Sequence, residues 1–192
     1  MRSTSVRIAV ALLAVVSTSL YTSRASAIDC ASSDIDASQR RLLGPSENIC
    51  ETYGGKVLLV ANVASHCGFT PQYEGLEKLY RTYRERGLVV LGFPSGDFAG
   101  QEFEDEAEIA EFCKLNFGVS FPLFSRSSVK GPEANELFKK LIASTGEEPG
   151  WNFNKYLVGR DGKAIAHFPS KVEPDSPELI KAIEAALAQP AS

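Results

Sequence analysis

The chain has 192 residues, 44% apolar and 23% charged, with 20 basic and 24 acidic side chains for a net charge of −4. That is the balance of one ordinary globular domain. An acidic surface without a basic stripe argues against nucleic acid and anionic membranes as partners.

Residues 1–27 read as a secretory signal. Arg2 and Arg7 flank or enter a short apolar stretch at 8–16, and Ala25-Ser26-Ala27 supplies an A-x-A cleavage site. The apolar stretch is too short to span a bilayer. Cleavage after Ala27 removes Arg2, Arg7 and Arg24, leaving 17 basic against 24 acidic residues and a net charge of −7. Export to a periplasm or to the exterior places Cys30, Cys50, Cys67 and Cys113 in an oxidising compartment. Four cysteines allow three pairings.

Residues 28–55 are polar and weakly periodic, and read as an N-terminal arm with a short strand or helical turn. The continuous apolar run 57–64 is a buried strand. A helix over 71–86 follows, with Tyr73, Leu76, Leu79, Tyr80 and Tyr83 at spacings of three and four, stopped by Gly87. Residues 88–93 are a second buried strand, so the strand–helix–strand unit implies a right-handed parallel crossover. A Gly-rich loop at 94–102 leads to a helix over about 104–117, a short edge element at 121–124 and a helix over 132–144. Residues 154–159 and 163–168 form a hairpin across Gly159-Arg160-Asp161-Gly162. An amphipathic helix over 177–188 closes the chain. The order of elements predicts an α/β sandwich, a mixed central sheet with helices on both faces. No repeat or linker divides residues 28–192.

Cys67 carries the chemistry. It follows the apolar strand and precedes a Pro-initiated helix, where amide N–H groups and the helix dipole favour thiolate, the nucleophilic form. No second cysteine stands at C-x-x-C spacing. The sulfur is placed to attack something other than a neighbouring disulfide.

Four stretches become specific together: Asn62-Val63-Ala64-Ser65-His66-Cys67-Gly68-Phe69-Thr70, Leu91-Gly92-Phe93-Pro94, Gly100-Gln101-Glu102 and Trp151-Asn152-Phe153. In this order they resemble the glutathione peroxidases, over about residues 55–187. The chain is similar to the non-selenium, cysteine-based, bacterial-type members, here in an exported form. The resemblance implies a thioredoxin-like peroxidase domain over 56–192 that reduces hydrogen peroxide and organic hydroperoxides in response to oxidative stress. Cys67 stands at the peroxidatic position and would pass through a sulfenic acid. Gln101, Trp151 and Asn152 match the catalytic glutamine and the Trp-Asn pair, and each offers a neutral N–H donor to stabilise charge without trapping the thiolate.

In such relatives a resolving cysteine lies in the helix that here holds Cys113, 46 residues beyond Cys67, although Ile109, Phe112, Cys113 and Phe117 also share a core-facing stripe. Cys30 and Cys50 lie outside the four matching stretches, in a polar arm too short to bury its own core, and in an oxidising compartment they are expected to form a structural disulfide. The reductant would be thioredoxin-type or glutathione, no bound cofactor is required, and the short 145–150 link before the Trp-Asn pair points to a monomer. Two features depart from the family. The loop after Phe93-Pro94 reads Ser95-Gly96-Asp97-Phe98-Ala99 in place of Cys-Asn-Gln-Phe-Gly, bringing a carboxylate towards the site. His66 stands where Lys is common, and His167 acquires no role. The alternative function is a peroxide-sensing thiol–disulfide oxidoreductase. A metal carrier would need paired Cys with a nearby His, and the chain offers only His66-Cys67.

Overall fold

The computed structural model describes residues 28–190; the predicted signal lies outside them. No helix among the described residues is long and apolar enough to cross a membrane. The chain begins with a 3-10 turn at Cys30–Ser32 and a small hairpin, β1 (Ser38–Arg40) and β2 (Ser46–Asn48), followed by α1 (Ile49–Tyr53). Next come β3 (Val57–Val63), α2 (Gln72–Tyr83) and β4 (Leu88–Pro94). The remaining elements are α3 (Glu106–Phe117), α4 (Glu136–Thr145), β5 (Lys155–Val158), β6 (Ala164–Phe168) and α5 (Pro177–Leu187).

The main sheet has the order β4-β3-β5-β6. β3 pairs with β4 in parallel and with β5 antiparallel, and β5 pairs antiparallel with β6. Every residue of β3 is buried, because the strand is covered on both faces. Alternation sorts its side chains. Val57, Leu59, Ala61 and Val63 meet Tyr73, Leu76, Ile109, Cys113, Leu179 and Ile183 on one side. Leu58 and Val60 meet Ile49, Leu137, Phe138 and Leu141 on the other. The result is the predicted three-layer α/β sandwich.

Helix ends follow local chemistry. Asp105, Asn135 and Ser176 cap α3, α4 and α5 by accepting an N–H of the first turn. The helix predicted over 71–86 is shorter, because its last turn tightens to a 3-10 form at Arg84–Arg86 before Gly87 takes φ 100°. The helix predicted from 132 starts only after Asn135, which supplies the cap. Residues 121–124 run beside β4 through a parallel bridge between Gly92 and Leu123. Gly92 permits that approach: a Cβ there would stand 2.6 Å from a Leu123 methyl carbon.

The arm is more than a polar tail. Ile35, Ala37, Ile49 and Cys50 are buried against the sheet. Cys30 and Cys50 form a disulfide, with Cα atoms 5.7 Å apart across a separation of 20 residues. Loop-closure entropy for such a ring is worth about 3 kcal/mol. Replacing both cysteines by serine is therefore expected to lower the urea-derived unfolding free energy by about that amount. A loss under about 1 kcal/mol would mean that apolar burial alone holds the arm.

Candidate active site

β3 ends at Val63, and the chain then turns through Cys67 before α2 begins. Thr70 organises the turn: its Oγ1 donates to the Ala64 carbonyl at 2.9 Å and accepts the Cys67 N–H at 3.0 Å. The Phe69 N–H points to Cys67 Sγ at 3.4 Å. A main-chain donor thus serves the sulfur of a residue that is only 8% exposed. His66 is exposed; its ring packs edge-on against Phe103, with centroids 4.2 Å apart.

Two other segments join this loop. The His66 N–H donates to the Gln101 carbonyl at 3.0 Å, which ties the Cys67 loop to the strand–helix connection after β4. Asn152 Nδ2 donates to Gln101 Oε1 at 3.0 Å. Gln101 is left with its own N–H groups to offer. Asn152 is fully buried, and its Oδ1 has no hydrogen-bond partner. The pair therefore presents amide donors from Gln101 and a buried acceptor on Asn152, whereas the sequence suggested two donors.

Trp151 is 39% exposed, so it is no core residue. Its ring lies 5.6 Å from that of Phe98, over which Lys130 Nζ sits at 4.6 Å. Phe69, Gly150, Trp151, Pro169 and Lys171 help to line a shallow cavity of about 320 Å³.

Sequence reasoning missed the residues that hold the Trp-Asn turn. Asn62, fully buried, donates from Nδ2 to the Trp151 carbonyl at 3.0 Å and accepts the Asn154 N–H on Oδ1 at 3.0 Å. Its main chain adds bonds with Phe153 and Asn154. Phe153 takes φ 62°, a left-handed conformation costly for a bulky residue. Asn154 Nδ2 donates to the Trp151 carbonyl at 2.7 Å and to Ser170 Oγ at 3.0 Å. Its Oδ1 then has only the acceptor role towards His167 Nε2 at 2.8 Å, which fixes that nitrogen as the protonated one. The signal was faint: Asn152 and Asn154 look like loop composition, and Asn62 lies 90 residues before Asn152 inside an apolar strand.

The Asp97 departure is absorbed. Its carboxylate accepts from Ser128 Oγ at 2.9 Å and from the Val129 N–H at 2.7 Å, on the 128–130 loop. The negative charge is committed there. Next to Gln101, Glu102 is 4% exposed, with Oε1 accepting the Phe103 N–H and Oε2 without a partner. Burial raises its pKa, against the opposing influence of Ser65 and Arg126.

Cys113 lies in α3, 1% exposed, in the same apolar cluster as Cys67, and both thiols are free. Burial pushes the Cys113 thiol up to about 11, with Glu102 adding and the Tyr73 hydroxyl opposing. At the acidic start of α3, Asp105 caps the helix, Glu106 meets Arg40 at 2.6 Å and Glu104 meets Arg126 at 2.8 Å. Among the described residues no three His, Cys, Asp or Glu side chains cluster as metal ligands would.

The model of the glutathione peroxidase family matches residues 37–142. The chain is 50% identical over 137 residues to the glutathione peroxidase-like peroxiredoxin GPX5 of Chlamydomonas reinhardtii, covering 68% of this chain and 85% of the relative. It is 46% identical over 133 residues to the hydroperoxy fatty acid reductase gpx1 of Synechocystis sp., covering 64% and 79%. It is 40% identical over 163 residues to the thioredoxin/glutathione peroxidase BtuE of Escherichia coli, covering 72% and 89%. Its fold matches the crystal structure of Trgpx in apo form, with a TM-score of 0.68 and 34% identity over 84% of this chain and 99% of that one. A thiol:disulfide interchange protein of the thioredoxin family from Chlorobium tepidum shares the fold alone, at a TM-score of 0.59 and 15% identity over 79% of this chain and 92% of that one.

His167 makes the turn sensitive to acid. Burial holds its pKa below 6.5, so native His167 stays neutral while the unfolded chain takes up a proton. Stability tied to this group is present above 6.5 and is lost as pH falls below it. His167→Gln keeps a donor for Asn154 and is expected to flatten the decline in melting temperature between about pH 6.5 and 5. An unchanged slope would assign the acid sensitivity to other groups.

Proposed function

The chain belongs to the glutathione peroxidase family and is a thiol peroxidase, and from that premise we propose that Cys67 is the sulfur that reacts with peroxide. The observation that carries the proposal is the junction at Cys67: a buried sulfur accepting a main-chain N–H, in a loop bonded to Gln101, which is bonded in turn to Asn152. Sulfur attacks one peroxide oxygen, the O–O bond breaks, and Cys67 becomes a sulfenic acid while the other oxygen leaves as alkoxide or hydroxide. Gln101 N–H groups stabilise that leaving oxygen, and Asn152 holds Gln101 in place. Trp151 forms the apolar wall.

Finer readings of substrate, reductant, export and assembly accompany this one. The cavity beside Trp151 is lined by Phe69 and Pro169 with Lys171 at hand, which suits a long-chain organic hydroperoxide with an anionic group. The name of the Synechocystis relative points to the same class. The thiol reductant is read as thioredoxin-type, as the Escherichia coli relative's name suggests, with no bound cofactor. Export is inferred from residues 1–27 and agrees with a Cys30–Cys50 disulfide. With only residues 146–150 between α4 and Trp151, we read the protein as a monomer, which light scattering at micromolar concentration tests.

Cys67→Ser is expected to abolish turnover and leave the fold intact; more than about a tenth of wild-type activity would overturn the assignment. Gln101→Ala and Asn152→Ala are expected to slow the reaction with peroxide by about 10²–10³-fold, the loss typical of an oxyanion-hole donor. Trp151→Phe, which keeps the ring and drops the indole N–H, separates wall from donor.

Recycling turns on Cys113, which we propose as the resolving thiol. Its sulfur would displace hydroxide from the Cys67 sulfenic acid, giving a disulfide and water. A dithiol protein then reduces that disulfide better than glutathione does. Peptide mapping after one equivalent of peroxide, with donor kinetics, tests this. A lasting sulfenic acid beside free Cys113, with faster turnover on glutathione, would favour the one-cysteine scheme.

A further inference from the structure

We propose that Lys155 is a positioning residue for the peroxide reaction, pulling the Cys67 loop and the Trp151-Asn152 turn onto one buried junction. The inference rests on Cys67 being the reacting sulfur. Lys155 opens β5 and is fully buried. Its Nζ donates to Gln72 Oε1 at 2.5 Å and to the Val172 carbonyl at 2.6 Å. Neither acceptor is a carboxylate.

Such an ammonium costs stability, and an apolar side chain of the same length would fill the space at less expense. Burial lowers its pKa to about 8, with Glu173 opposing. What the charge supplies is geometry. Gln72 is the first residue of α2, five residues beyond Cys67, and its Nε2 donates to the Ser170 carbonyl at 2.7 Å. Ser170 Oγ donates to the Asn152 carbonyl at 2.6 Å and accepts from Asn154. One cation therefore fixes Gln72 and Val172, and through them both sides of the site. Bonds from a charged donor are about twice as strong as neutral ones, so a neutral side chain would hold Gln72 less firmly.

The groups that bear on the Lys155 charge are Glu173 from the segment after β6 and His167 from β6, with Glu147 near His167; α2 contributes the neutral Gln72. Loss of the Lys155 proton makes the rate fall above about pH 8. The native state also releases this proton before the unfolded chain does. The wild-type fold should therefore gain stability from about pH 8 towards 10.5.

The test is the second-order rate of Cys67 oxidation by hydrogen peroxide, measured against pH, for wild type, Lys155→Met, Gln72→Leu and the double variant. Lys155→Met is expected to be at least about tenfold slower at pH 7, as for a sub-ångström to ångström misplacement. It should melt no lower than wild type at pH 7, and lose both the downward bend above pH 8 and the alkaline gain in stability. The double variant should be no slower than the slower single one, because both act through one link. A wild-type rate in Lys155→Met, a retained bend, or multiplying losses would overturn the proposal. Should Lys155→Met not fold, Gln72→Leu decides: a wild-type rate of Cys67 oxidation in that variant refutes the proposal. A wild-type Cys67 that ignores peroxide would instead overturn the functional reading beneath it.

Discussion

Asn62 is the residue on which the site's geometry depends. It stands at the end of a strand with no exposed side chain, and its main chain and side chain together grip the turn from Trp151 to Asn154. Buried amide groups left unpaired would each cost about 1–3 kcal/mol, so the turn and the strand end specify each other. The same strand delivers Cys67 five residues later. Candidate nucleophile and candidate donors are thus measured from a single origin, and the left-handed Phe153 is held there by bonds that over-determine it.

Around that origin the polar groups at the reacting end are neutral. Gln101, Asn152, Asn154 and Ser170 bond to one another and to main chain, and charges are taken up elsewhere. Asp97 serves the 128–130 loop. This explains how the loop after β4 departs from the family's usual residues without disturbing Gln101. The aspartate and Ser95 satisfy local main-chain donors, while the Gln101 carbonyl keeps its bond to His66.

Both central strands and the amphipathic helices were legible in the sequence because their signals are local. An unbroken apolar run marked β3 and β4, and spacings of three and four marked α2 and α5. The arm was not legible in the same way. Its buried residues, Ile35, Ala37, Ile49 and Cys50, are scattered among polar ones, and α1 has only five residues, too few to show a period. Lys155 was hidden for another reason. Lysine is almost always exposed, so its burial follows from acceptors on α2 and beyond β6, 83 and 17 residues away. At the site, motif recognition placed Cys67, Gln101, Trp151 and Asn152 in a single region. It could not specify that Asn152 bonds to Gln101 and leaves a buried oxygen unpaired. Hydrogen-bond direction is a property of assembled side chains.

The remaining constraint concerns α3. A disulfide needs Cα atoms within about 7 Å, and a resolving thiol must present its sulfur to the Cys67 loop. Cys113 is buried, its pKa is raised, and it sits in the penultimate turn of a capped helix. Resolution by Cys113 therefore requires α3 to open. What opening gives up can be read from the packing. Ile109 and Cys113 are the only fully buried residues of α3, with Phe112 and Phe117 partly covered. The ion pairs at its start, Glu106 with Arg40 and Glu104 with Arg126, each keep one partner substantially exposed and are worth about 1 kcal/mol or less. α2 buries five residues and α5 four. Among the three helices on that face, α3 is the one held by the least apolar contact, so local opening there leaves β3, Asn62 and the Trp-Asn turn in place.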